Sequence, residues 1–174
     1  QLAMNEKEYL KIVTPFKDKI FRLAKRLLVS VEEAEDATQD VLLKLWNHRQ
    51  KFKDYNSPEA FAMTMTKNRC FDQLKSKHAQ NLKIVHNNYE DHSQSLQKSI
   101  EVNDSLHWVE KHMDALPEKQ KLILQLRDIE QYEFSEMSKI LDMSEATIRV
   151  SLSRARKSIR EKLTKTHNYG IKKH

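Results

Sequence analysis

The chain has 174 residues, enough for one ordinary domain or two small ones, with 39% apolar and 32% charged residues and a formal net charge of +6 that suits a polyanionic partner. Its single glycine, Gly170, leaves no material for hairpin turns, a Gly-rich phosphate loop or a nucleophile elbow, so an all-α fold is expected. Its single cysteine, Cys70, excludes an intrachain disulfide and points to a reduced, cytoplasmic chain, and no apolar run reaches the roughly 18 residues of a membrane span.

In chain order, residues 5–77 have strong helical periodicity. "YLKIVTPFKDKIFRLAKRLL" places Ile12, Phe16, Ile20, Leu23, Leu27 and Leu28 on one face. Ser30 is the expected N-cap of the next helix, with Glu32 and Glu33 in its positive first turn and Ala34, Ala37, Val41, Leu42, Leu45 and Trp46 inward. Asn56-Ser57-Pro58 opens a third helix, whose inward stripe is expected at Phe61, Met65, Asn68, Phe71 or Asp72, and Leu74. Residues 78–103 are rich in Asn, Gln, His and Ser and read as a linker with helical fringes, although Leu82, Ile84 and Val85 offer material for docking on a neighbour. Helix resumes over 104–165. Pro117 starts "PEKQKLILQLRDI", with Leu122, Ile123, Leu126 and Ile129 inward, and 166–174 reads as a frayed tail.

The segment "FSEMSKILDMSEATIRVSLSRARKSIREKL" reads as a helix-turn-helix. A short helix with Met137, Ile140 and Leu141 braces, Ser144 caps, and the second helix enters a major groove. That second helix has an apolar stripe at Ile148, Leu152, Ala155, Ile159 and Leu163. Beside it run Arg149, Arg154, Arg156, Lys157, Arg160, Lys162 and Lys165, with Glu161 the one acid between 146 and 165. The apolar stripe seats the helix, and arginines can fork onto guanine edges or phosphates, while Ser151 and Ser153 let the backbone approach DNA. At the bend stands Asp142 where glycine is usual; aspartate is among the few side chains that tolerate left-handed geometry. The histidines are scattered and no cysteine cluster joins them, so neither a metal nor another cofactor is expected, and no catalytic constellation is evident.

Two stretches together resemble a family. "AEDATQDVLLKLW" with "FAMTMTKNRCFDQLKS" resembles conserved region 2 of bacterial sigma factors, and "LPEKQKLILQLRDIEQYEFSEMSKILDMSEATIRVSLSRARKSI" resembles region 4. With little between them, the chain resembles the short extracytoplasmic-function (ECF) sigma factors over about residues 10–163. The resemblance implies a sigma region 2 bundle at 5–77 and a region 4 helix-turn-helix at 104–165. It implies a promoter-specificity subunit without catalysis of its own. Its partners would be core RNA polymerase, promoter DNA and an anti-sigma factor, with no membrane insertion of the chain itself. Glu35, Asp36, Gln39 and Asp40 would dock on the β′ clamp helices. Phe52, Tyr55, Asn56, Phe61, Lys67, Asn68, Arg69, Asp72 and Lys75 would handle the −10 element, where a base must leave the stack. Ser144, Thr147, Arg149, Ser151, Ser153, Arg154, Arg156 and Lys157 would read the −35 element. Many relatives have Trp at Phe61 and Arg at Thr64, so the DNA preference is not inherited from them. The alternative is a stand-alone helix-turn-helix regulator with residues 5–77 as a ligand or dimer module, which would have no need of the acidic "EDATQD" face.

Overall fold

A computed structural model describes residues 3–54, 56–85 and 104–171, and among these every regular element is helical. Helix α1 (Glu6–Val13) starts on a capping box in which Glu8 N–H donates to the Asn5 side chain at 2.9 Å and Asn5 N–H to Glu8 at 3.1 Å. A 3₁₀ turn containing Pro15 leads into α2 (Lys17–Leu28), where Ile20, Leu23, Leu27 and Leu28 are buried as the periodicity predicts. Helix α3 (Val31–Asn47) begins on Ser30, whose hydroxyl accepts from Glu33 N–H at 3.3 Å. Ala34 and Ala37 are fully buried, and their small side chains permit close approach to α2. The α1 Tyr9 hydroxyl donates to the Leu42 carbonyl at 2.7 Å and its ring meets Trp46 edge-on, which fastens α1 across α3.

Between α2 and α3 the chain reverses at Val29, which has φ 57° and ψ 18°. A β-branched residue in the left-handed region is strained by about 1–2 kcal/mol, and the side chain is 54% exposed, so little packing compensates. Val29→Gly should therefore stabilise the fold by about 1 kcal/mol, the relieved strain exceeding the extra entropy of the unfolded chain. Thermal denaturation checks this; an unchanged or lower midpoint would contradict it.

Helix α4 (Pro58–Val85) starts as expected, with Ser57 Oγ accepting from Ala60 N–H at 3.1 Å. Its inward line is displaced from the predicted one. Ala62, Met63, Thr66 and Cys70 are fully buried, Phe61, Met65, Phe71 and Leu74 are partly buried, and Asn68 and Asp72 are exposed. Small residues let α4 lie close to α2 and α3, and Thr66 hides its hydroxyl by donating to the Ala62 carbonyl at 2.8 Å. Burial pushes the Cys70 thiol up to about 12, which makes it a core residue rather than a reactive one. The helix runs on through residues 78–85, so that helical fringe belongs to α4, and Leu82 is 59% exposed rather than docked. The rest of the expected linker, residues 86–103, lies outside the described residues.

Helix α5 (Asp104–Asp114) is followed by α6 (Glu118–Leu124), which passes into a π-helical turn, Gln125–Ile129. There Glu130 N–H reaches back to the Gln125 carbonyl at 3.0 Å. The wider turn shifts the register, and Ile129, expected inward, is 43% exposed. Helix α7 (Phe134–Leu141) ends at Asp142, which takes the left-handed position with φ 51° and ψ 49°, so aspartate does fill the bend in place of glycine. Helix α8 (Glu145–Ile171) starts at Ser144, whose Oγ accepts from Thr147 N–H at 3.2 Å. Ile148, Leu152 and Ala155 are buried as predicted. The helix continues through Gly170, so the expected tail is helical as far as Ile171; residues 172–174 lie outside the described residues.

The two helical groups meet face to face. Buried Arg26 of α2 donates to Gln125 at 3.0 Å, to Glu110 at 2.8 Å and to Asp114 at 2.9 Å. Arg22 forks onto Glu130 at 2.6 and 2.8 Å. Glu59 of α4 accepts from Lys19 at 2.8 Å and from the Tyr132 hydroxyl at 2.7 Å. Lys67 Nζ donates to the Ile140 carbonyl at 3.0 Å, capping the end of α7. Thr64, one of the two departures noted in the sequence, reaches the same carbonyl at 3.5 Å.

Candidate functional site

The acidic face of α3 forms because Glu35, Asp36 and Gln39 fall opposite the buried Ala34, Ala37, Val41 and Leu45. All three are exposed. Asp40, the fourth predicted member, turns instead toward α4, where Arg69 Nε donates to it at 2.8 Å and Lys44 approaches to 3.3 Å. The Arg69 hydrogen bond holds the Asp40 carboxyl below its ordinary value, with Lys44 contributing. A residue assigned to polymerase docking is thus tied to one assigned to the −10 element.

On α4, Phe61, Asn68, Arg69 and Asp72 line one shallow recess of about 270 Å³ with Lys44, Thr64 and Met65. Lys44, Thr64 and Met65 are not among the sequence-predicted members of this set. The available signal was helical spacing, Met65 at i+4 from Phe61 and i−3 from Asn68 and Thr64 at i+3 and i−4, whereas Lys44 reaches over from α3. Arg69 is held by Gln73 at 2.6 Å as well as by Asp40. Asn56 and Lys75 are exposed. Lys67 is half-buried against α7, and burial draws its ammonium below the ordinary value while Asp142 opposes the shift. Phe52, expected at the −10 element, is not available there. It is buried in the core against Tyr9, ring centroids 6.2 Å apart, and presents no face to a base. Its helical turn closes back on α1, which spacing alone did not reveal. Tyr55 lies outside the described residues.

The predicted −35 set divides by environment. Ser144 caps α8 and pairs with the Thr147 hydroxyl at 2.8 Å. Thr147, Ser153, Arg154 and Lys157 are exposed, and Ser151 is half-buried. Lys157 lies 3.9 Å from Glu161, a loose surface pair. Arg156 is engaged by Asp128, with its Nε at 3.0 Å and its Nη2 at 2.5 Å from the two carboxylate oxygens. This bidentate bond raises the Arg156 pKa. Arg149 lies 4.4 Å from the centroid of the Phe134 ring. The flank holding Arg149, Arg156 and Arg160 also borders an apolar recess of about 780 Å³ that includes Val109, Met113, Leu124 and Leu152. Asp128 and Phe134 were not among the sequence-predicted residues; Phe134 opens the first helix of the helix-turn-helix and Asp128 precedes it, and the fold brings both to α8.

No helix among the described residues is long and apolar enough to cross a membrane. Residues 12–80 match the Sigma-70 region 2 family model, and residues 106–159 match the Sigma-70 region 4 model. The chain is 22% identical over 162 residues to the ECF RNA polymerase sigma factor SigW of Bacillus subtilis, covering 87% of each chain. Its fold is similar to that of the sigma factor RpoE, solved in complex with the anti-sigma factor NepR from Bartonella quintana. The TM-score is 0.74 at 20% identity, over 91% of this chain and 98% of that one. It is also similar to CnrH, solved in complex with the cytosolic domain of CnrY, with a TM-score of 0.63 at 15% identity over 92% and 90% of the two chains. With region 2 and region 4 both matched, in that order and with little between them, the chain belongs to the ECF sigma factors of the sigma-70 family.

Proposed function

We propose that the chain is a promoter-specificity subunit that carries core RNA polymerase to promoters and leaves all catalysis to the polymerase. Glu35, Asp36 and Gln39, with Asp40 behind them, dock on the β′ clamp helices. The recess of Phe61, Asn68, Arg69 and Asp72 handles the −10 element, and α8 reads the −35 element. The observation that carries this is the exposed acidic face of α3 beside the α4 recess, in a chain that also holds a basic helix-turn-helix. A stand-alone regulator has use for the last of these alone. An anti-sigma partner is part of the proposal, since the sigma factor RpoE was solved bound to one. Pull-down with core polymerase, followed by run-off transcription on a promoter library, tests the reading; failure to bind core would overturn it.

The docking face gives a sharper expectation. Asp36→Ala with Gln39→Ala removes polar groups from an exposed surface, so stability should stay within about 0.5 kcal/mol. Affinity for core should fall by about tenfold or more, because interfacial charges set orientation and lifetime. Equilibrium binding to fluorescent core polymerase measures it, and normal binding by the double variant would show that the face is misplaced.

A further inference from the structure

Phe134 is the first residue of α7, set there by the Glu133 capping box in which Glu133 N–H donates to Glu136 at 2.9 Å. Two guanidinium carbons lie over its ring, Arg127 at 4.3 Å and Arg149 at 4.4 Å. Arg127 is itself fixed, donating to the Tyr132 carbonyl at 2.8 Å. The ring is therefore held by the backbone at one end and braced by a tethered arginine. Arg149 is different. It forms a loose pair with Glu145 at 3.8 Å, one turn back on the same helix, and its side chain is more than half exposed. A guanidinium stacked through its face keeps its N–H edge available, and that edge is what forks onto a guanine.

We propose that Phe134 is a positioning residue for base recognition: by stacking on Arg149 it fixes the arginine in an edge-out pose before DNA arrives. An arginine loses much rotamer freedom on forming a forked contact, and a pre-stacked one loses less. Arg156, one helical turn pair further on, serves as the internal contrast. Its N–H edge is already spent on Asp128, so the same helix holds one arginine presented and one withdrawn. The inference rests on the proposed −35 reading of α8 and names the residue that sets its precision.

The test uses core polymerase carrying the full chain, and a duplex promoter that the wild-type holoenzyme selects from a randomised library. Competition against single-base-pair variants at fixed salt gives the discrimination at each position. Phe134→Leu should lower discrimination by about three- to fivefold at the one position that Arg149→Ala also relaxes, and leave other positions unchanged. Phe134→Tyr, which keeps the ring, should restore it. With Arg149→Ala already present, Phe134→Leu should add nothing. If Phe134→Leu fails to fold, Phe134→Met takes its place, keeping an unbranched apolar side chain without a ring. Equal loss at all positions, or full additivity with Arg149→Ala, overturns the inference in favour of a packing role. If Arg149→Ala leaves discrimination intact while Arg154→Ala relaxes it, the inference is overturned although the −35 reading stands. If neither arginine affects discrimination, that reading itself has failed, and the inference with it.

Discussion

Replacing Arg26 by methionine should destabilise the chain by about 2 kcal/mol and loosen the contact between its two helical groups. Arg26 is buried and serves Gln125, Glu110 and Asp114 at once. Methionine keeps the apolar stem and removes every donor. Gln125, also buried, then loses the partner of its carbonyl, and an unmet buried acceptor costs about 1–3 kcal/mol. Glu110 and Asp114 are partly exposed and recover water, so the penalty stays below that of a fully buried ion pair. Chemical denaturation measures the loss. Fluorescence transfer between labels on α3 and α8 measures the separation, which should grow with salt as Arg22–Glu130 and Lys19–Glu59 are screened. An unchanged transfer efficiency would show that apolar packing alone holds the two groups together.

The same contact has a pH dependence with a defined sign. The Arg26 hydrogen bond holds the Glu110 carboxyl below its ordinary value of 4.5. A carboxyl depressed in the folded state contributes stability that is complete above its unfolded value and is lost as pH falls through the lower folded one. The interface should thus be insensitive near neutrality and weaken below about pH 4.5, and Arg26→Met should flatten that acid limb. The contact also bears on how the sequence divides. Proteolysis within 86–103 should leave resistant fragments matching the two predicted groups, and these should stay associated at low salt until the ion pairs are screened. Size-exclusion chromatography of the nicked chain checks this, and fragments that part at low salt would contradict it.

The second large effect concerns DNA. Arg154 is exposed on α8, where side chains reach base edges, and Arg154→Ala should cost about 1–3 kcal/mol and relax preference at one base pair of a selected promoter. Lys157, exposed and only loosely paired, is placed for a phosphate, so Lys157→Ala should weaken all duplexes alike and reduce the salt slope by about one. Arg156→Ala should behave differently from both. Its fork onto Asp128 makes its loss fall on stability more than on affinity. The chain on its own should bind duplex weakly, at about micromolar dissociation constants, because the proposed α4 surface engages only a base that has left the stack and duplex contact falls to α8 alone. Nanomolar, sequence-specific duplex binding by the free chain, measured by titration at fixed salt, would favour the stand-alone regulator.

The sequence by itself determined the class of fold and most of its elements. One glycine in 174 residues left helices as the economical solution, and periodicity placed the buried faces of α2, α3 and α8 correctly. Local signals fixed the starts: Ser30 and Ser144 each accept a backbone N–H where a cap was expected, Ser57 does so in the Asn56-Ser57-Pro58 opening, and Asp142 adopts the left-handed turn. These succeed because caps, turns and amphipathic stripes depend on neighbours a few residues apart. Tertiary structure decided the rest. The buried line of α4 follows Ala62, Thr66 and Cys70 because close helix packing rewards small side chains, which a hydropathy pattern undervalues. Ile129 turns outward because one π-helical turn resets the register. Phe52 enters the core because its turn folds back on Tyr9. The partners that sort the arginines of α8, Phe134 and Asp128, come from elsewhere in the chain, as does Arg26 of α2 facing Gln125. Contacts across such separations leave no periodic trace, since each depends on how two finished helices come to lie together.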